Sequence, residues 1–280
     1  MPDRSGLGSP RNTAIIIVPI LLVLITFLFW YQTWFGRQLS DREMAQDLTD
    51  TSVPHKTQHA VAQLSDRMSR GDPRVKHWYP QLLALAQNPE SQLRLEAAWA
   101  MGQDNHSEEF HQALRKLVSD PVLLVRANAA LALARFGDGA GEPQLRAMLQ
   151  PFTLGAPESG AIKFRMKEQD AVRNGSIIAR IRRAEGDKQQ DVLSPMGGTI
   201  ARLLAADGAT VAAGDEVAVI DPDEGQVVES LRALYLVGQP QDLDDVERFI
   251  GGAPHMSERV RLQAQATARA IRQRSANGKS

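Results

Sequence analysis

Apolar residues recur every three or four positions through most of the chain, and this spacing is typical of amphipathic helices. It covers residues 57–150 and returns over 222–274. Residues 153–221 instead alternate short apolar runs with glycine turns, which predicts short antiparallel strands. The pattern therefore predicts an α+β chain in which a helical array is interrupted by a small β-sandwich.

The strongest apolar run lies near the N-terminus, from Ala14 to Tyr31 (AIIIVPILLVLITFLFWY). At about 1.5 Å per residue, a helix of this length spans roughly 27 Å, close to the ~30 Å hydrocarbon layer of a bilayer. The pattern predicts a tail at 1–12, a single transmembrane helix at 13–36 and a polar linker at 37–56. Aromatic residues at the end of the run fit a membrane interface.

This predicted helix decides the expected location of the protein. A cleaved signal peptide is the alternative, but the run is long and no small-x-small cleavage site follows it. Basic residues are nearly balanced on the two sides, so the orientation depends on a small difference. We interpret the chain as a single-pass protein of the bacterial inner membrane, with its bulk in the periplasm.

Two helical stretches repeat with a fixed period. QNPESQLRLEAAWAMG (87–102) and SDPVLLVRANAALALARFG (119–137) place Pro89 and Pro121 thirty-two residues apart. Proline is tolerated at a helix start, because the first N–H groups have no partner in the helix. A period of this size predicts a solenoid of helical pairs.

Looser copies follow the β domain, in DPDEGQVVESLRALYLVG (221–238) and SERVRLQAQATARAI (257–271). Together these segments resemble HEAT-like repeats, and the resemblance implies a solenoid with a large surface for protein partners. Arg94, Arg126 and Arg261 recur with the pattern. We expect them to serve the repeat by pairing with neighbouring helix ends or acidic side chains.

The β domain contains a repeat of its own, in which residues 156–181 align with residues 194–220. The alignment pairs Gly160 with Gly198, Ile162 with Ile200, Val172 with Val211, Gly175 with Gly214, and Ile181 with Ile220. Neither copy would be stable alone. The two copies are therefore expected to cover each other's apolar faces in a pseudo-symmetric sandwich.

One set of positions in the second copy carries a family resemblance. These positions are Ser194, Pro195, Gly198, Gly208, Val211 and Gly214. Through them the chain resembles the biotinyl/lipoyl-like fold. That fold occurs in carrier domains that bear biotin or lipoate on a lysine, and in periplasmic adaptor (membrane fusion) proteins, which bear neither and begin with a membrane helix. The adaptor resemblance implies an assembly role. This chain departs from the adaptors by having a short turn between its halves and helical repeats after them.

The carrier alternative depends on Lys188, in the predicted turn RRAEGDKQQD (182–191). Glu185, Gly186, Asp187 and Lys188 match the pattern Glu-x-Asp-Lys of a lipoate site. However, Lys188 lies seven residues after Ile181, farther than that pattern places it. We therefore expect a solvated turn and no cofactor, with lipoylation of Lys188 as the alternative.

The composition mainly excludes several kinds of function and site. The formal net charge is -1, which supplies no overall basic field for nucleic acid, and the absence of cysteine removes disulfides and thiolate chemistry. His55 and His59 stand four apart without a third ligand nearby, so we expect no metal site. His77, His106 and His111 are expected at packing or surface positions. The glycines of FGDGAGEP (136–143) lack the lysine and preceding strand of a phosphate loop.

The sequence thus predicts a non-enzymatic, membrane-anchored scaffold or adaptor with helical repeats at 57–150 and 222–274, a β domain at 153–221 and a tail at 275–280. Its expected partners are proteins of an envelope complex, with secretion or efflux as the process. No catalytic residue is predicted.

Overall fold

The computed structural model describes residues 19–28, 38–183, 189–253 and 256–277. The chain divides into two compact units, Met1–Gln46 and Asp47–Ser280. In the first unit, residues 19–28 are helical and exposed. Helix α1, Asp41–Thr49, begins in this unit, where Ser40 Oγ accepts the Glu43 N–H at 3.3 Å and Glu43 Oε2 accepts the Ser40 N–H at 3.0 Å, so the two residues form a capping box.

The predicted transmembrane helix at 13–36 is wrong for the residues that can be described. Of that segment the structure describes 19–28, and ten helical residues rise only about 15 Å, half of a ~30 Å hydrocarbon layer. No helix among the described residues is both long and apolar enough to cross a membrane. The remainder of the predicted helix lies outside the described residues. The predicted single-pass inner-membrane location depended on this helix and is corrected with it.

The second unit combines a helical region with two antiparallel sheets. Its α-helices are α2 (Pro54–Ser69), α3 (Tyr79–Leu85), α4 (Ser91–Met101), α5 (Glu108–Leu117), α6 (Leu123–Arg135), α7 (Glu142–Ala147), α8 (Glu224–Val237), α9 (Leu243–Glu247) and α10 (Glu258–Asn277). Short 3-10 helices cover Pro73–Trp78, Gly139–Gly141 and Pro240–Asp242.

An aspartate or asparagine opens each turn of the first repeats. Asp72, Asn88, Asp104 and Asp120 stand sixteen residues apart, and each Oδ1 accepts the backbone N–H two residues later, at 2.8 to 3.1 Å. Asp138 makes the same bond at 2.9 Å. These side chains occupy backbone donors that the helix starts leave without partners. Each repeat of thirty-two residues therefore contains one helical pair and two such turns.

The helices form two layers. In one layer α2, α4, α6, α8 and α10 pack side by side in chain order, and α3, α5, α7 and α9 each pack against the member that follows. Fully buried alanines, Ala98 and Ala130, lie on the inner faces of α4 and α6. The Cβ of an alanine at Gly102 would lie 2.9 Å from Ala132 Cβ, so glycine permits a close approach of the two helices.

The β domain is inserted between α7 and α8 without separating them. Helix α8 still packs on α6 and α7, and the three share one core with α9 and α10. Ser230 stands where the repeat would have an alanine, and its buried hydroxyl donates to Leu145 O at 2.6 Å. Thr267 similarly donates to Leu231 O at 2.8 Å. These bonds join successive helices and explain the polar residues at core positions.

The eight strands are β1 (Phe152–Gly155), β2 (Gly160–Phe164), β3 (Ala171–Val172), β4 (Ile177–Arg182), β5 (Gln189–Leu193), β6 (Gly198–Leu203), β7 (Thr210–Val211) and β8 (Glu216–Pro222). They form sheet A, in the order β1-β8-β6-β3, and sheet B, in the order β5-β4-β2-β7. All pairings are antiparallel. If each strand of the first half is replaced by its equivalent in the second half (β1 by β5, β2 by β6, β3 by β7, β4 by β8) and the reverse, the order of sheet A becomes the order of sheet B. This is the relation that a two-fold axis produces.

The strand registers agree with the sequence alignment of the two halves. Ile162 lies opposite Ile181 in sheet B, and Ile200 lies opposite Ile220 in sheet A. All four isoleucines are fully buried in one shared core. Each sheet also contains two strands from each half, because β1 pairs with β8 and β3 with β6 in sheet A, while β5 pairs with β4 and β7 with β2 in sheet B. Neither sheet is complete without both halves.

The paired glycines are required for the same steric reason in both halves. A Cβ at Gly160 would lie 2.4 Å from Arg182 O, and a Cβ at Gly198 would lie 2.1 Å from Asp221 O. Real side chains do not approach a neighbouring backbone so closely, so only glycine fits. Gly175 and Gly214 have φ of 81° and 89°, where glycine is favoured because it lacks a Cβ.

Candidate protein-binding surface

The outward faces of α4, α6 and α8 form a groove of about 490 Å³. Its apolar lining includes Trp99 on α4, Leu131 on α6 and Leu236 on α8. Trp99 and Leu131 stand thirty-two residues apart, so they occupy one repeat position on neighbouring helices. Trp99 is 40% exposed and Leu236 is 49% exposed. A contiguous patch of large apolar side chains on a surface is typical of an interaction site.

Polar groups at the groove are held by the ends of the same helices. Arg135 Nη1 donates to Gly102 O, at the end of α4, at 3.1 Å. On α8, Arg232 Nη1 donates to Glu229 Oε1 at 2.7 Å. The groove therefore has an apolar floor and fixed charges on its rim, the usual anatomy of a protein interface.

Sequence reasoning missed this groove, although its signal was available. The repeat was recognised from inward and turn positions, such as Pro89 and Pro121. Applying the same period of thirty-two to outward positions pairs Trp99 with Leu131, two large apolar residues where a solvated helix would carry polar ones. Leu236 could not be found in this way, since the inserted β domain breaks the spacing before α8.

Arg94 serves the repeat as predicted. Its Nε and Nη2 donate to the two carboxylate oxygens of Asp120 at 2.6 and 3.0 Å, and its Nη1 donates to Asn88 O and Pro89 O at 2.9 Å. Burial alone would raise the pKa of Asp120, but the Arg94 guanidinium and the Val122 N–H together lower it. Arg94 thus ties one turn to the next by a bidentate charged bond.

Arg126 and Arg261 follow this arrangement to different extents. Arg126 Nη1 donates to Asp120 O and Pro121 O at 2.7 and 3.0 Å, which repeats the carbonyl contacts of Arg94, but its Nε donates to the neutral Gln144 Oε1. Arg261 instead pairs with Glu258 on its own helix, with Nε to Oε2 at 2.8 Å. Of the three arginines, Arg94 and Arg126 therefore bind the turns and neighbouring helices of the repeat, whereas Arg261 binds an acidic residue of its own helix.

The histidines form no metal centre within the described residues, where no cluster of three or more potential ligands occurs. His55 and His59 are exposed. His111 is different, because its Nε2 lies 2.7 Å from Asp138 Oδ2 and its ring stacks on Phe136. The Arg115 guanidinium, with Nε 2.5 Å from the same oxygen, is the main cause that lowers the pKa of Asp138 to about 2. This cluster joins α5 to the next turn.

The glycine-rich segment after α6 is a packing turn. Gly139–Gly141 forms a 3-10 turn, and a Cβ at Gly141 would lie 2.6 Å from Ala130 Cα on α6. The glycine lets this turn lie against the helix, which leaves no room for a phosphate beside Gly141.

A buried pair of acidic side chains lies where α7 meets the 3-10 turn before α9. Asp242 is fully buried, and its Oδ2 accepts the Gln239 N–H at 2.7 Å, while Oδ1 has no hydrogen-bond partner among the described residues. The pKa of Asp242 is raised to about 6, mainly by burial and also by the neighbouring Glu142, while the Gln239 N–H and Arg146 act in the opposite direction. No local pattern of residues indicates this pair, since its members are a hundred positions apart.

Lys188, the alternative lipoylation site, lies outside the described residues, as do Glu185, Gly186 and Asp187. The strand before this segment ends at Arg182, and the Arg183 Nε donates to Glu158 Oε2 at 2.6 Å. Modification of Lys188 therefore stays a prediction that the structure does not test.

The family profile described as HEAT repeats matches residues 79–152, from the start of α3 to the first residue of β1. HEAT repeats are thus shown in this stretch, and they suggest protein partners in general. None of the curated proteins matches the chain. One solved structure, titled as that of a single-chain, multi-domain long-chain acyl-CoA carboxylase, aligns at 17% identity over 43% of this chain and 14% of that chain, with a TM-score of 0.24. So low a TM-score supports no argument about fold or function.

Proposed function

We propose that the chain is a non-enzymatic protein-binding scaffold, and that the groove across α4, α6 and α8 receives apolar side chains of a partner protein. The observation that carries the proposal is the exposure of Trp99 beside Leu131 and Leu236, on helices that belong to or pack directly on the HEAT repeats. Tryptophan is enriched among the residues that dominate the energy of protein interfaces.

The shape of the surface supports a protein rather than a small ligand. The groove runs over three neighbouring helices and is open to solvent along them, whereas small-molecule sites enclose most of their ligand. The rim offers Arg135 and the pair of Glu229 and Arg232, which are suited to polar contacts around an apolar centre. Helical repeats build such surfaces from local packing alone.

Site-specific photo-crosslinking in the cells that make the protein tests the proposal. A photoreactive residue in place of Leu236 should form adducts with a partner protein, while one in place of Gln112, exposed on α5 in the other layer, should not. Trp99→Ala should abolish the Leu236 adduct. Tyr235→Ala, which removes an equally exposed aromatic beside the groove, should preserve it.

The results distinguish a specific partner contact from nonspecific crosslinking. Equal adducts from the Leu236 and Gln112 positions, or an adduct that survives Trp99→Ala, would contradict it. The two aromatic variants should lose similar free energies of unfolding, within about 1 kcal/mol of each other, because Trp99 is 40% exposed and Tyr235 is 45% exposed. A loss of crosslinking in Trp99→Ala alone is therefore attributable to the contact and not to a loss of stability.

A further inference from the structure

The outer face of sheet B concentrates positive charge. Lys163 on β2 lies directly opposite Arg180 on β4, and Arg182 follows two residues later on the same face of β4. Arg165, just beyond β2, lines the same shallow concavity of about 380 Å³. Adjacent cations on paired strands repel one another, so this arrangement costs stability.

Most of this charge is not neutralised within the described residues. Arg180 Nε donates to Asp191 Oδ1 at 2.7 Å. For Lys163, Arg165 and Arg182, all of them exposed, the described part of the chain provides no ion pair. The face therefore carries an excess of three positive charges over a few neighbouring strand positions.

The two-fold repeat shows that the fold does not require these cations. In sheet A, the position across from Val219 holds Arg202, and Thr199 lies opposite Asp221. These rows carry one cation and one anion, whereas the matching rows of sheet B carry three cations. The buried positions of the two halves are nearly identical in type, so the cations are a feature of the outer face of sheet B and not of the shared core.

From this asymmetry we infer that the outer face of sheet B binds an extended acidic segment of a partner protein. Alternate residues of an extended chain lie about 6.8 Å apart and point to the same side. Arg180 and Arg182 have that same spacing along β4. Glutamates or aspartates at alternate positions would therefore meet the arginines in register, with Lys163 reachable from the same row. This surface is separate from the helical groove and goes beyond the scaffold function proposed above.

A nucleic acid fits the face less well. Affinity for a phosphate backbone grows with the number of phosphates that cations neutralise, and this concavity offers only Lys163, Arg165, Arg180 and Arg182 among the described residues. The formal charge of the whole chain is -1, so no broader basic field extends the patch. A short acidic peptide segment needs no more than the cations present.

Fluorescence anisotropy with the full chain tests the inference. The probe is a labelled peptide of alternating threonine and glutamate, compared with the same peptide carrying glutamine for glutamate. The glutamate peptide should bind more tightly by about tenfold, and its affinity should fall between about 50 mM and about 300 mM salt. The double variant Lys163→Gln with Arg182→Gln should lose about tenfold in affinity.

Arg202→Gln is the matched control, since it removes an exposed cation from the corresponding row of sheet A, and it should change the affinity by less than about twofold. Trp99→Ala should also leave peptide binding unchanged, which separates this test from that of the helical groove. Equal losses from Arg202→Gln and from the double variant would overturn the inference. So would tighter binding of a single-stranded oligonucleotide of equal charge, or of vesicles containing an anionic lipid.

Discussion

The helical region and the β-sandwich are both built by repetition, but their copies are related differently. Successive helical pairs are displaced along a line, and each touches mainly its neighbours. The two halves of the sandwich are related by a two-fold axis and exchange strands, so that each completes the other. In the open array a repeated residue can acquire a new partner at each step. In the closed pair a repeated residue meets the same surroundings twice.

Arginine and glycine positions illustrate the difference. Arg94 and Arg126 occupy one repeat position, yet the first binds a carboxylate and the second a neutral amide. Gly160 and Gly198 occupy one symmetry position, and each faces a backbone carbonyl of the neighbouring strand. Substitutions at equivalent sites should therefore have unequal effects in the helical region and equal effects in the sandwich core.

The largest effect is expected from the sandwich glycines. Gly160→Ala and Gly198→Ala should each destabilise the β domain by about 3 kcal/mol, because the new Cβ would overlap a strand carbonyl and force the strands apart. Amide hydrogen exchange along β2 and β8 measures this local stability. The two losses should agree within about 1 kcal/mol.

Gly251→Ala provides the control for these variants. A Cβ at Gly251 meets nothing within 4 Å, so this substitution should leave strand exchange unchanged. If Gly198→Ala destabilises the strands and Gly160→Ala does not, the two halves are not equivalent in the way their registers indicate.

The helical arginines should give the next largest effect, and an unequal one. Arg94→Gln leaves the nearly buried Asp120 without its cation, which should cost about 2–3 kcal/mol of unfolding free energy. Arg126→Gln loses bonds to neutral acceptors and should cost about 1 kcal/mol. Urea denaturation followed by circular dichroism near neutral pH measures both.

The pH dependence identifies the cause of that inequality. The pKa of Asp120 is held below its ordinary 3.8, so the stability from its pairing is present above pH 3.8 and is lost as the pH falls through the lowered value. The deficit of Arg94→Gln should therefore shrink in acid, while that of Arg126→Gln should shrink less, because Arg126 lowers the pKa of Asp120 less than Arg94 does. Equal deficits at every pH would mean that the charge of Asp120 is not what distinguishes the two sites.

Local patterns were sufficient for much of this fold. Pro89 and Pro121 revealed the helical period, and the match of Gly160 with Gly198 revealed the repeat whose registers the two sheets show. Both signals arise where a backbone requirement admits few residue types. The mixture of helices and antiparallel sheets follows from the same patterns. The predicted transmembrane helix at 13–36 was judged from hydropathy, and the described residues contain no helix that meets the length of a bilayer.

Surface chemistry was much harder to foresee. Trp99 and Leu131 belong to amphipathic helices, and a single sequence does not show which apolar side chains of such helices remain exposed after packing. The cations on sheet B are scattered along β2 and β4, and they become one face only when Lys163 is placed opposite Arg180 by the strand register. Asp242 and Glu142 come together across a hundred residues, a contact that no local pattern encodes.

The buried acidic pair should make the stability of the helical region depend on pH in a way that the stability of the β-sandwich does not. Among the described residues, the buried acidic side chains are Asp120, Glu142 and Asp242, all in the helical region, while the buried polar side chain of the sandwich is Ser194. Because the pKa of Asp242 is raised from 3.8 to about 6, folding takes up a proton between these values. Stability from this site should therefore fall as the pH rises from about 4 to about 6 and stay level above.

Asp242→Asn should remove that penalty and stabilise the protein by about 1–2 kcal/mol near pH 7.5, since a neutral amide keeps an oxygen for the Gln239 N–H. The gain should shrink toward pH 4, where the wild-type carboxyl is protonated. Asp245→Asn is the control, because Asp245 pairs with the same Arg146 from a partly exposed position, and it should destabilise slightly. Urea titrations across this pH range measure both variants. A gain that does not depend on pH would show that Asp242 is ionised without cost, and the contrast in pH response between the two regions would then have to come from helical carboxyl groups whose pKa is lowered, such as Asp120 and Asp138.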